Sequence, residues 1–188
     1  MLPVIETERL ILRNIDIKDH VDMYEYAKTP YVGPNAGWEP HKSLAQTMGV
    51  IAMMVGAPNH GSLGTFAIVL KEENKMIGTI ELFNCIPNFK AELGYALNYK
   101  YWGQGIVPEA AEAIIHWGFV RLNLKRIEIN LFPSNQQSER VCQKLGFVKE
   151  GYLRNAYLRY DGKIFDELKY SMTDKEYFEK SLNRGKAA

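Results

Sequence analysis

The stretch AELGYALNYKYWGQGIVPEA, residues 91–110, decides the fold, because it joins a strand to a helix through a glycine turn. Leu93, Tyr95 and Leu97 alternate with charged or small residues near its start. This alternation is typical of a strand with two different faces, and it predicts a strand over residues 91–98. The helix that follows is expected to cross to a neighbouring strand. Ligands bind where a sheet opens at such a crossover, so we expect a ligand site here.

Two glycines, Gly103 and Gly105, stand immediately before the predicted helix, which runs to about Leu122. Pro108 fits its first turn, where the missing N–H costs nothing. That turn exposes backbone N–H groups and carries a positive partial charge of roughly half a unit. Because glycine lets the backbone approach a ligand closely, the pair predicts either an anion site suited to a pyrophosphate or a simple tight turn. Pro108 stands where a dinucleotide motif needs glycine, and no Gly-Lys-Ser/Thr ending makes a Walker A loop.

The whole chain predicts a mixed α/β fold, in the order strand, two helices, three antiparallel strands, helix, strand, helix and hairpin. Asp16 is placed to cap the first helix, and Asp161-Gly162 is a strong hairpin signal. We expect a single domain over residues 1–182 and a flexible tail over residues 183–188. The other predicted strands are 10–12, 65–70, 76–83 and 126–131, and the other predicted helices are 17–27, 42–55 with a break at 58–61, 135–145 and 174–182.

Composition is that of an ordinary globular protein. Of the 188 residues, 46% are hydrophobic and 24% are charged, and the formal net charge is +1. This balance gives no reason to expect nucleic acid or a membrane surface as a partner. The start MLPVIETERL lacks the pattern of a signal peptide, and no apolar run approaches the ~20 residues that span a bilayer. Cys85 and Cys142 have no metal-binding spacing, so we expect no metal, and two reduced thiols in a cytoplasmic protein.

Several stretches together resemble one known family, the GNAT family of N-acetyltransferases. Residues 99–110, YKYWGQGIVPEA, resemble its acyl-CoA pyrophosphate loop, Arg/Gln-x-x-Gly-x-Gly/Ala, with Lys100 at the first position. Residues 135–147, NQQSERVCQKLGF, are similar to the Asn-x-x-Ser…Lys-Leu-Gly-Phe segment of the ribosomal-protein N-terminal acetyltransferase branch. TERLILR, EGYLR and the ending centred on Asp166 also resemble that branch. The resemblance implies the GNAT fold, with a mostly antiparallel sheet and a central strand–loop–helix site for acetyl-CoA.

The same resemblance assigns residues to acetyl-CoA, which is expected as a co-substrate. Leu97 would pair its backbone with the pantetheine arm, and Asn135 would hydrogen-bond that arm. Lys144 would meet a phosphate of CoA, or equally remain a solvated helix lysine. The residues expected to hold the pyrophosphate, mainly through backbone N–H groups, are Trp102, Gly103, Gln104, Gly105 and Ile106.

Acetyl transfer to an amine is helped by a base, because an α-amino group has a pKa of about 8 and a lysine one of about 10. Glu92, on the strand before the glycine loop, is the candidate base, acting directly or through water. A solvated or salt-bridged carboxylate is the structural alternative for Glu92, and Glu81 on the neighbouring strand is the reserve. The thioester oxygen is expected to meet a main-chain N–H between Tyr95 and Leu97.

The departing thiolate needs a donor. Many members of the family use a tyrosine seven residues after the asparagine of the downstream helix, but Cys142 stands there in this sequence. The ribosomal-protein branch has a serine three residues after the asparagine, which is Ser138. We therefore predict Ser138 as the partner of the thiolate, the alternative being that it bonds a free backbone N–H. Cys142, on the same helix face at i+4, is interpreted as a small buried residue rather than a nucleophile.

The acceptor is less well marked. Trp38, Glu39 and His41, in a loop between the first two helices, are predicted to contact it, the alternative being packing and surface roles. The leading hypothesis is an acetyl-CoA-dependent N-acetyltransferase acting on a protein N-terminal α-amine, such as that of a ribosomal protein. The alternatives are acetylation of a small amine (a polyamine, amino acid or antibiotic) and a non-catalytic acyl-CoA-binding regulatory module. The sequence leaves open the acceptor and the choice between a monomer and a homodimer.

Overall fold

The computed structural model describes residues 2–56 and 61–186, which form one sheet with helices on both faces. The strands are β1 (Ile5–Glu6), β2 (Leu10–Asn14), β3 (Thr65–Leu70), β4 (Lys75–Ile86), β5 (Lys90–Leu97), β6 (Arg126–Leu131), β7 (Val148–Leu158) and β8 (Ile164–Thr173). The α-helices are α1 (His20–Ala27), α2 (Leu44–Gly56), α3 (Ile106–Val120), α4 (Gln136–Leu145) and α5 (Asp174–Lys186).

The topology of the sheet places one parallel pair at its centre. Within the described residues, the strands pair in the order β1-β2-β3-β4-β5-β6-β8-β7. All neighbours are antiparallel except β5 and β6, which run parallel because α3 carries the chain across between them. This confirms the predicted mixed, mostly antiparallel α/β sheet with one central crossover.

Most observed elements lie close to the predicted ones, and the differences occur at the ends of the chain and in weakly patterned segments. β3 and β6 have the predicted bounds, because β3 is an apolar run that ends at a turn and β6 alternates polar and apolar residues. The sequence does not predict β1, because a strand of two residues is too short to show the alternation of polar and apolar residues. α5 continues to Lys186 rather than ending at residue 182. Residues 58–60 of the predicted break lie outside the described residues, and Gly61 lies within them. Residues 187–188 of the predicted tail also lie outside the described residues.

Two apolar clusters cover the two faces of the sheet. The larger cluster packs α3 and α4 against one face, and the smaller packs α1 and α2 against the other, around the fully buried Tyr26. Along β3, Phe66 and Ile68 enter the larger cluster, whereas Ala67 enters the smaller. The alternation of side chains along each strand thus supplies both cores from one sheet.

Glu25 on α1 joins that helix to β4 and to the turn that precedes the glycine loop. Its carboxylate accepts hydrogen bonds from Lys75 Nζ at 2.6 Å, Lys100 Nζ at 2.7 Å and Asn98 Nδ2 at 3.3 Å. The hydrogen bonds from Lys100 and Lys75 lower the pKa of Glu25 to about 2. The side chain of Lys100 is therefore bonded to α1. The glycine loop that follows would bind a ligand through its backbone N–H groups.

We expect the Glu25→Gln variant to unfold about 2–4 °C below the wild type at neutral pH. Because the folded-state pKa is lowered, these ion pairs stabilise the fold above the unfolded-state value of about 4.3, and the stabilisation is lost as the pH falls towards 2. The difference in Tm between wild type and variant should therefore shrink over that interval. Thermal unfolding followed by circular dichroism measures it. Glu72→Gln, an exposed carboxylate in the turn after β3, is the control; a difference in Tm that does not change with pH would contradict the prediction.

Candidate active site

β5 and β6 diverge soon after they begin, and a cavity opens between them. Their pairing joins only residues 90–92 to residues 126–128. In the described part of the chain, the rest of β5 has a partner strand on the β4 side alone. The cavity has a volume of about 1030 Å³ and is lined by β4, β5, β6, the start of α3, one side of α4 and the loop before α2. The free edge of β5 offers N–H and C=O groups to a ligand.

The glycine loop lies at the end of this cavity, where the backbone turns from β5 into α3. Gly103 and Gly105 have φ values of 76° and 75°, which L side chains rarely adopt. Gly105 is the N-cap of α3, and no side chain of residues 2–56 or 61–186 caps the helix, so the first N–H groups remain available to a ligand. The indole N–H of Trp102 donates to the Leu97 carbonyl at 3.0 Å and holds the loop against β5. The loop therefore has the geometry of an anion site.

Arg9, which the sequence pattern does not single out, braces this loop from outside. Its guanidinium donates to the Gln104 carbonyl at 2.9 Å and to the Glu109 carboxylate at 2.7 Å. Thr7 Oγ1 donates to the same carboxylate at 2.5 Å. Burial alone would raise the pKa of Glu109, but the hydrogen bonds from Thr7 and Arg9 outweigh burial and lower it. The start of α3 is thus tied to the N-terminal segment by a charged contact.

Lys144 on α4 reaches the same loop from the other side. A Cβ built on Gly105 would lie 3.9 Å from Lys144 Nζ and 3.6 Å from the Arg9 guanidinium. Lys144 forms no salt bridge with any described residue, whereas Arg9 is paired with Glu109. Beside the backbone of the loop, the charge of Lys144 is therefore placed to meet a phosphate group, with the Arg9–Glu109 pair next to it.

Asn135 and Ser138, at the start of α4, form the wall that faces β5. Asn135 is the N-cap of α4, and its Oδ1 accepts a hydrogen bond from the Ser138 backbone N–H at 3.1 Å. Its Nδ2 donates to the Asn35 carbonyl at 3.4 Å. Because Asn135 satisfies the free backbone donor, the Ser138 hydroxyl is not used for that purpose, and Ser138 lines the cavity.

Tyr95 and Cys142 lie beside Ser138 on the same wall. Cys142 is fully buried, and burial raises its pKa to about 12, so it remains a thiol at neutral pH and is a poor nucleophile. The Tyr95 side chain lines the cavity, and burial raises the pKa of its phenol. A hydrogen bond with Ser138 opposes this effect on the pKa, and the hydroxyl oxygen is shielded from solvent.

Glu92, the predicted base, lies near the start of β5, where two amides hold its carboxylate. Asn84 Nδ2 donates to Oε1 and Asn130 Nδ2 donates to Oε2, each at 3.0 Å. Amide donors fix the orientation of a carboxylate without neutralising its charge. Glu92 is therefore neither salt-bridged nor free in solvent, and it lines the cavity.

Two more carboxylates line the cavity with Glu92. Glu81 on β4 accepts hydrogen bonds from the hydroxyls of Ser62 and Thr65, each at 3.1 Å. Glu167 on β8 has no hydrogen bond or salt bridge to a described residue. Burial, and then the charge of Glu92, raise the pKa of Glu167. The sequence misses Glu167 because only the pairing of β8 with β6 brings it to this site.

Aromatic rings from the loop before α2 line the cavity beyond these carboxylates. The rings of Trp38 and His41 lie 5.2 Å apart. His41 is buried, its Nδ1 is 2.8 Å from Thr47 Oγ1, and burial lowers its pKa, so the ring is uncharged at neutral pH. The Tyr157 hydroxyl donates to the Gly37 carbonyl at 3.2 Å and ties this loop to β7.

The structure gathers most of the predicted site residues around one cavity and leaves two of them outside it. Glu39 does not line the cavity, because its side chain faces solvent and pairs with Lys42 at 2.9 Å. Gln104 lies in an adjoining surface depression with Arg9 and Lys144. The residues brought together are Trp38, His41, Glu92, Leu97, Trp102, Gly103, Gly105, Ile106, Asn135, Ser138 and Lys144.

These residues fit a long ligand with phosphates at one end and a reacting thioester further in. The positive-φ glycines and the uncapped helix suit a pyrophosphate, which Lys144 would help to neutralise. The free edge of β5 and the start of α4 line the rest of the cavity, where the arm and the thioester of the ligand would lie. Acetyl-CoA has both features.

Other kinds of site are not seen in the described residues. Over residues 2–56 and 61–186, no cluster of three or more His, Cys, Asp or Glu side chains is arranged to bind a metal ion. No helix in those ranges is both long and apolar enough to cross a membrane. Cys85 and Cys142 are free thiols.

Known proteins match this chain along nearly its whole length. Residues 9–148 match the family described as acetyltransferase (GNAT) domain. The uncharacterized N-acetyltransferase p20 of Bacillus licheniformis is 35% identical over 173 residues, which cover 91% of this chain and 96% of that protein. The ribosomal protein uS5-alanine N-acetyltransferase of Escherichia coli is 28% identical over 180 residues, which cover 91% of each. A crystal structure of a GNAT-family acetyltransferase from Bacillus anthracis is 28% identical, covers 93% of this chain and 100% of its own, and has a TM-score of 0.82.

Proposed function

This chain belongs to the acetyltransferase (GNAT) domain family, and from that premise we propose that it transfers an acetyl group from acetyl-CoA to the α-amine of a protein N-terminus. Acetyl transfer to an amine is the activity of the family, and acetyl-CoA is its donor. We infer the acceptor from one observation, which is the similarity, over 91% of both chains, to an enzyme named for the alanine of a ribosomal protein. The acceptor of this chain would then be a protein of that kind.

On the donor side, the chain supplies backbone groups and two cations. The N–H groups at the start of α3 would bind the pyrophosphate, with Arg9 and Lys144 beside them. Along the pantetheine arm, Asn135 retains one amide hydrogen after its bond to Asn35. The Leu97 carbonyl retains one lone pair beside its bond to the Trp102 indole.

At the reacting centre, acetyl transfer needs a base for the amine, a donor to the thioester oxygen and a donor to the sulfur, and three groups could supply them. Glu92 would accept the proton that the amine loses, directly or through water, while Asn84 and Asn130 hold its orientation. A free backbone N–H of β5 between Tyr95 and Leu97 would stabilise the negative charge on the thioester oxygen. The Ser138 hydroxyl would donate to the sulfur as the C–S bond breaks.

A second acceptor class, the polyamines, is favoured by one specific observation. Glu81, Glu92 and Glu167 all line the cavity, and none of them forms a salt bridge with a described residue. Uncompensated carboxylates attract multiply charged amines more strongly than a single α-amine. Polyamines therefore belong in the same test as peptides.

A mass-spectrometric acceptor screen tests the proposal. The protein is incubated with acetyl-CoA and a panel of peptides with free N-termini, the same peptides with blocked N-termini and an internal lysine, and polyamines. We expect acetylation of the free α-amine and none of the blocked peptides. A larger kcat/KM for a polyamine than for any peptide would favour the second acceptor class. Binding of CoA with no acetylated product from the whole panel would favour the non-catalytic alternative.

Ser138→Ala is expected to lower kcat by roughly 10- to 100-fold, because the departing sulfur loses a hydrogen bond to a developing charge. KM for acetyl-CoA should change little, since Asn135 caps α4 through the Ser138 backbone N–H and that N–H remains. Thiol release with the best acceptor of the screen measures both constants. Ser134→Ala, an exposed serine just before the same helix, is the control. An unchanged kcat in Ser138→Ala would remove Ser138 from the chemistry.

A further inference from the structure

Glu109 places a negative charge at the end of α3 where the pyrophosphate is proposed to bind. It lies in the first turn of that helix, whose N-cap is Gly105. With Gln104 and Gly105 it lines the surface depression that adjoins the cavity. A carboxylate in the first turn stabilises a helix, but it also repels an anionic ligand at the same end. A pyrophosphate site at this helix therefore requires compensation of the Glu109 charge.

Arg9 supplies this compensation with its main chain and its side chain. Its backbone N–H donates to Glu109 Oε1 at 2.9 Å, and its Nε and Nη2 each lie 2.7 Å from Glu109 Oε2. Thr7 Oγ1 also donates to Glu109 Oε1. The side chain of Glu109 is only 18% exposed beneath these donors. Several charge-assisted hydrogen bonds from one arginine fix the orientation of both groups.

Another contact of Arg9 reaches the glycine loop itself. Its Nη1 donates to the Gln104 carbonyl at 2.9 Å, between the two glycines of positive φ. In a planar trans peptide unit, the carbonyl and the N–H that follows it point in opposite directions. Arg9 does not line the cavity, and it holds the Gln104 carbonyl from outside. The N–H of Gly105 is therefore turned away from Arg9.

We propose that Arg9 is a positioning residue for acetyl-CoA, which neutralises Glu109 and holds the Gln104–Gly105 peptide so that its N–H can bind the pyrophosphate. This inference rests on the proposed function, which places the donor at this loop. Lys144 forms no salt bridge with a described residue and is the cation left to contact a phosphate directly. The two cations beside the loop thus have different roles, and Arg9 acts through Gln104 and Glu109.

The test measures the Kd for CoA by calorimetric titration, so that no acceptor is needed. We expect Arg9→Met to raise the Kd roughly 10- to 30-fold, because the loop loses a hydrogen bond and a carboxylate beside it loses its cation. Glu109→Gln keeps an oxygen that can accept from Arg9 and removes the negative charge. Its Kd should equal that of the wild type or be up to about threefold lower. The double variant Arg9→Met/Glu109→Gln should bind CoA about three- to tenfold more tightly than Arg9→Met.

Salt dependence and kinetics separate this role from a structural one. The ratio of Kd values between Arg9→Met and the double variant should shrink as the salt concentration rises from about 0.05 M to about 0.5 M, because salt screens exposed charges. KM for acetyl-CoA should rise in Arg9→Met, with kcat at saturating acetyl-CoA within about twofold of the wild type. A merely structural ion pair would make Glu109→Gln bind CoA more weakly, and the double variant at least as weakly as Arg9→Met.

Arg159→Met is the matched control. Arg159 Nη2 pairs with Asp161 Oδ2 at 2.6 Å in the turn between β7 and β8, outside both the cavity and the depression. This variant removes the same charge from the chain, and we expect its Kd for CoA to equal that of the wild type.

Four results would overturn the inference alone. They are wild-type affinity in Arg9→Met, weakening of more than about threefold in Glu109→Gln, no recovery in the double variant, and an equal loss in Arg159→Met. If Arg9→Met does not fold, Glu109→Gln decides the question, because a structural pair predicts weaker binding and the proposed role does not. If the wild type itself does not bind CoA, the proposed donor is wrong and the inference falls with it.

Discussion

Replacement of Glu92 by Gln is expected to lower kcat by about 100- to 1000-fold, because an amide cannot take a proton from the acceptor amine. The folded structure should change little, since the Gln oxygen keeps one of the two amide donors, and the other asparagine can turn its amide so that its oxygen accepts from the new NH2 group. KM for acetyl-CoA should stay within about threefold of the wild type, because the donor loop lies at the other end of β5. The measurement is kcat and KM from initial rates of the wild type and the variant, with the best acceptor of the screen.

Two other carboxylates of the same cavity provide the controls for this prediction. Glu81→Gln removes a carboxylate that accepts hydrogen bonds from Ser62 and Thr65, and we expect kcat to change by less than about threefold. Glu167→Gln removes the carboxylate whose pKa is raised by burial and by Glu92. A loss of two orders of magnitude in either variant, with Glu92→Gln unaffected, would transfer the role of base to that residue.

The Gly103→Val variant is expected to bind CoA about 10- to 100-fold more weakly than the wild type. Gly103 has a φ of 76°, and a β-branched side chain is strongly disfavoured there. A Cβ at this position meets no heavy atom within 4 Å, so the side chain would occupy the open space that we assign to the pyrophosphate. Calorimetric titration with CoA measures the change in Kd.

Gly162 offers a control with the same backbone strain in another place. Its φ is 77°, a Cβ there also meets nothing within 4 Å, and it lies in the turn between β7 and β8, outside the cavity. We expect Gly103→Val and Gly162→Val to lower the free energy of unfolding by similar amounts, about 1–3 kcal/mol. Only Gly103→Val should change the Kd for CoA. Equal weakening of CoA binding by both variants would mean that the loop acts through general stability and not through contact with the ligand.

The parts of this site that the sequence predicts are those whose signals lie within a few consecutive residues. The glycine loop between β5 and α3 is marked by Gly103, Gly105 and Pro108, and its conformation follows from those residue types. The Asn135 and Ser138 pair is marked by the start of α4, and the structure adds that Asn135 is the cap. Local backbone chemistry decides these features, so they need no knowledge of distant contacts.

The parts that the sequence misses depend on which strands become neighbours. Arg9 reaches the glycine loop from β1–β2, about a hundred residues away in sequence. Glu167 enters the cavity because β8 pairs with β6. Glu39 is predicted to contact the acceptor but lies outside the cavity, where it pairs with Lys42. A loop without periodicity gives no indication of which side chains face inwards.

The positions of the tryptophans make three regions of the molecule separately visible by fluorescence. Trp102 is bonded to β5 at the donor loop, and Trp38 lies beside His41 where the acceptor is proposed to enter. The third, Trp117 on α3, packs edge-on against Phe66 in the larger core, with ring centroids 5.5 Å apart. Fluorescence emission from variants that each retain one tryptophan would therefore report separately on donor binding, acceptor binding and loss of core packing. The order in which the two substrates enter is then open to direct observation in rapid-mixing experiments.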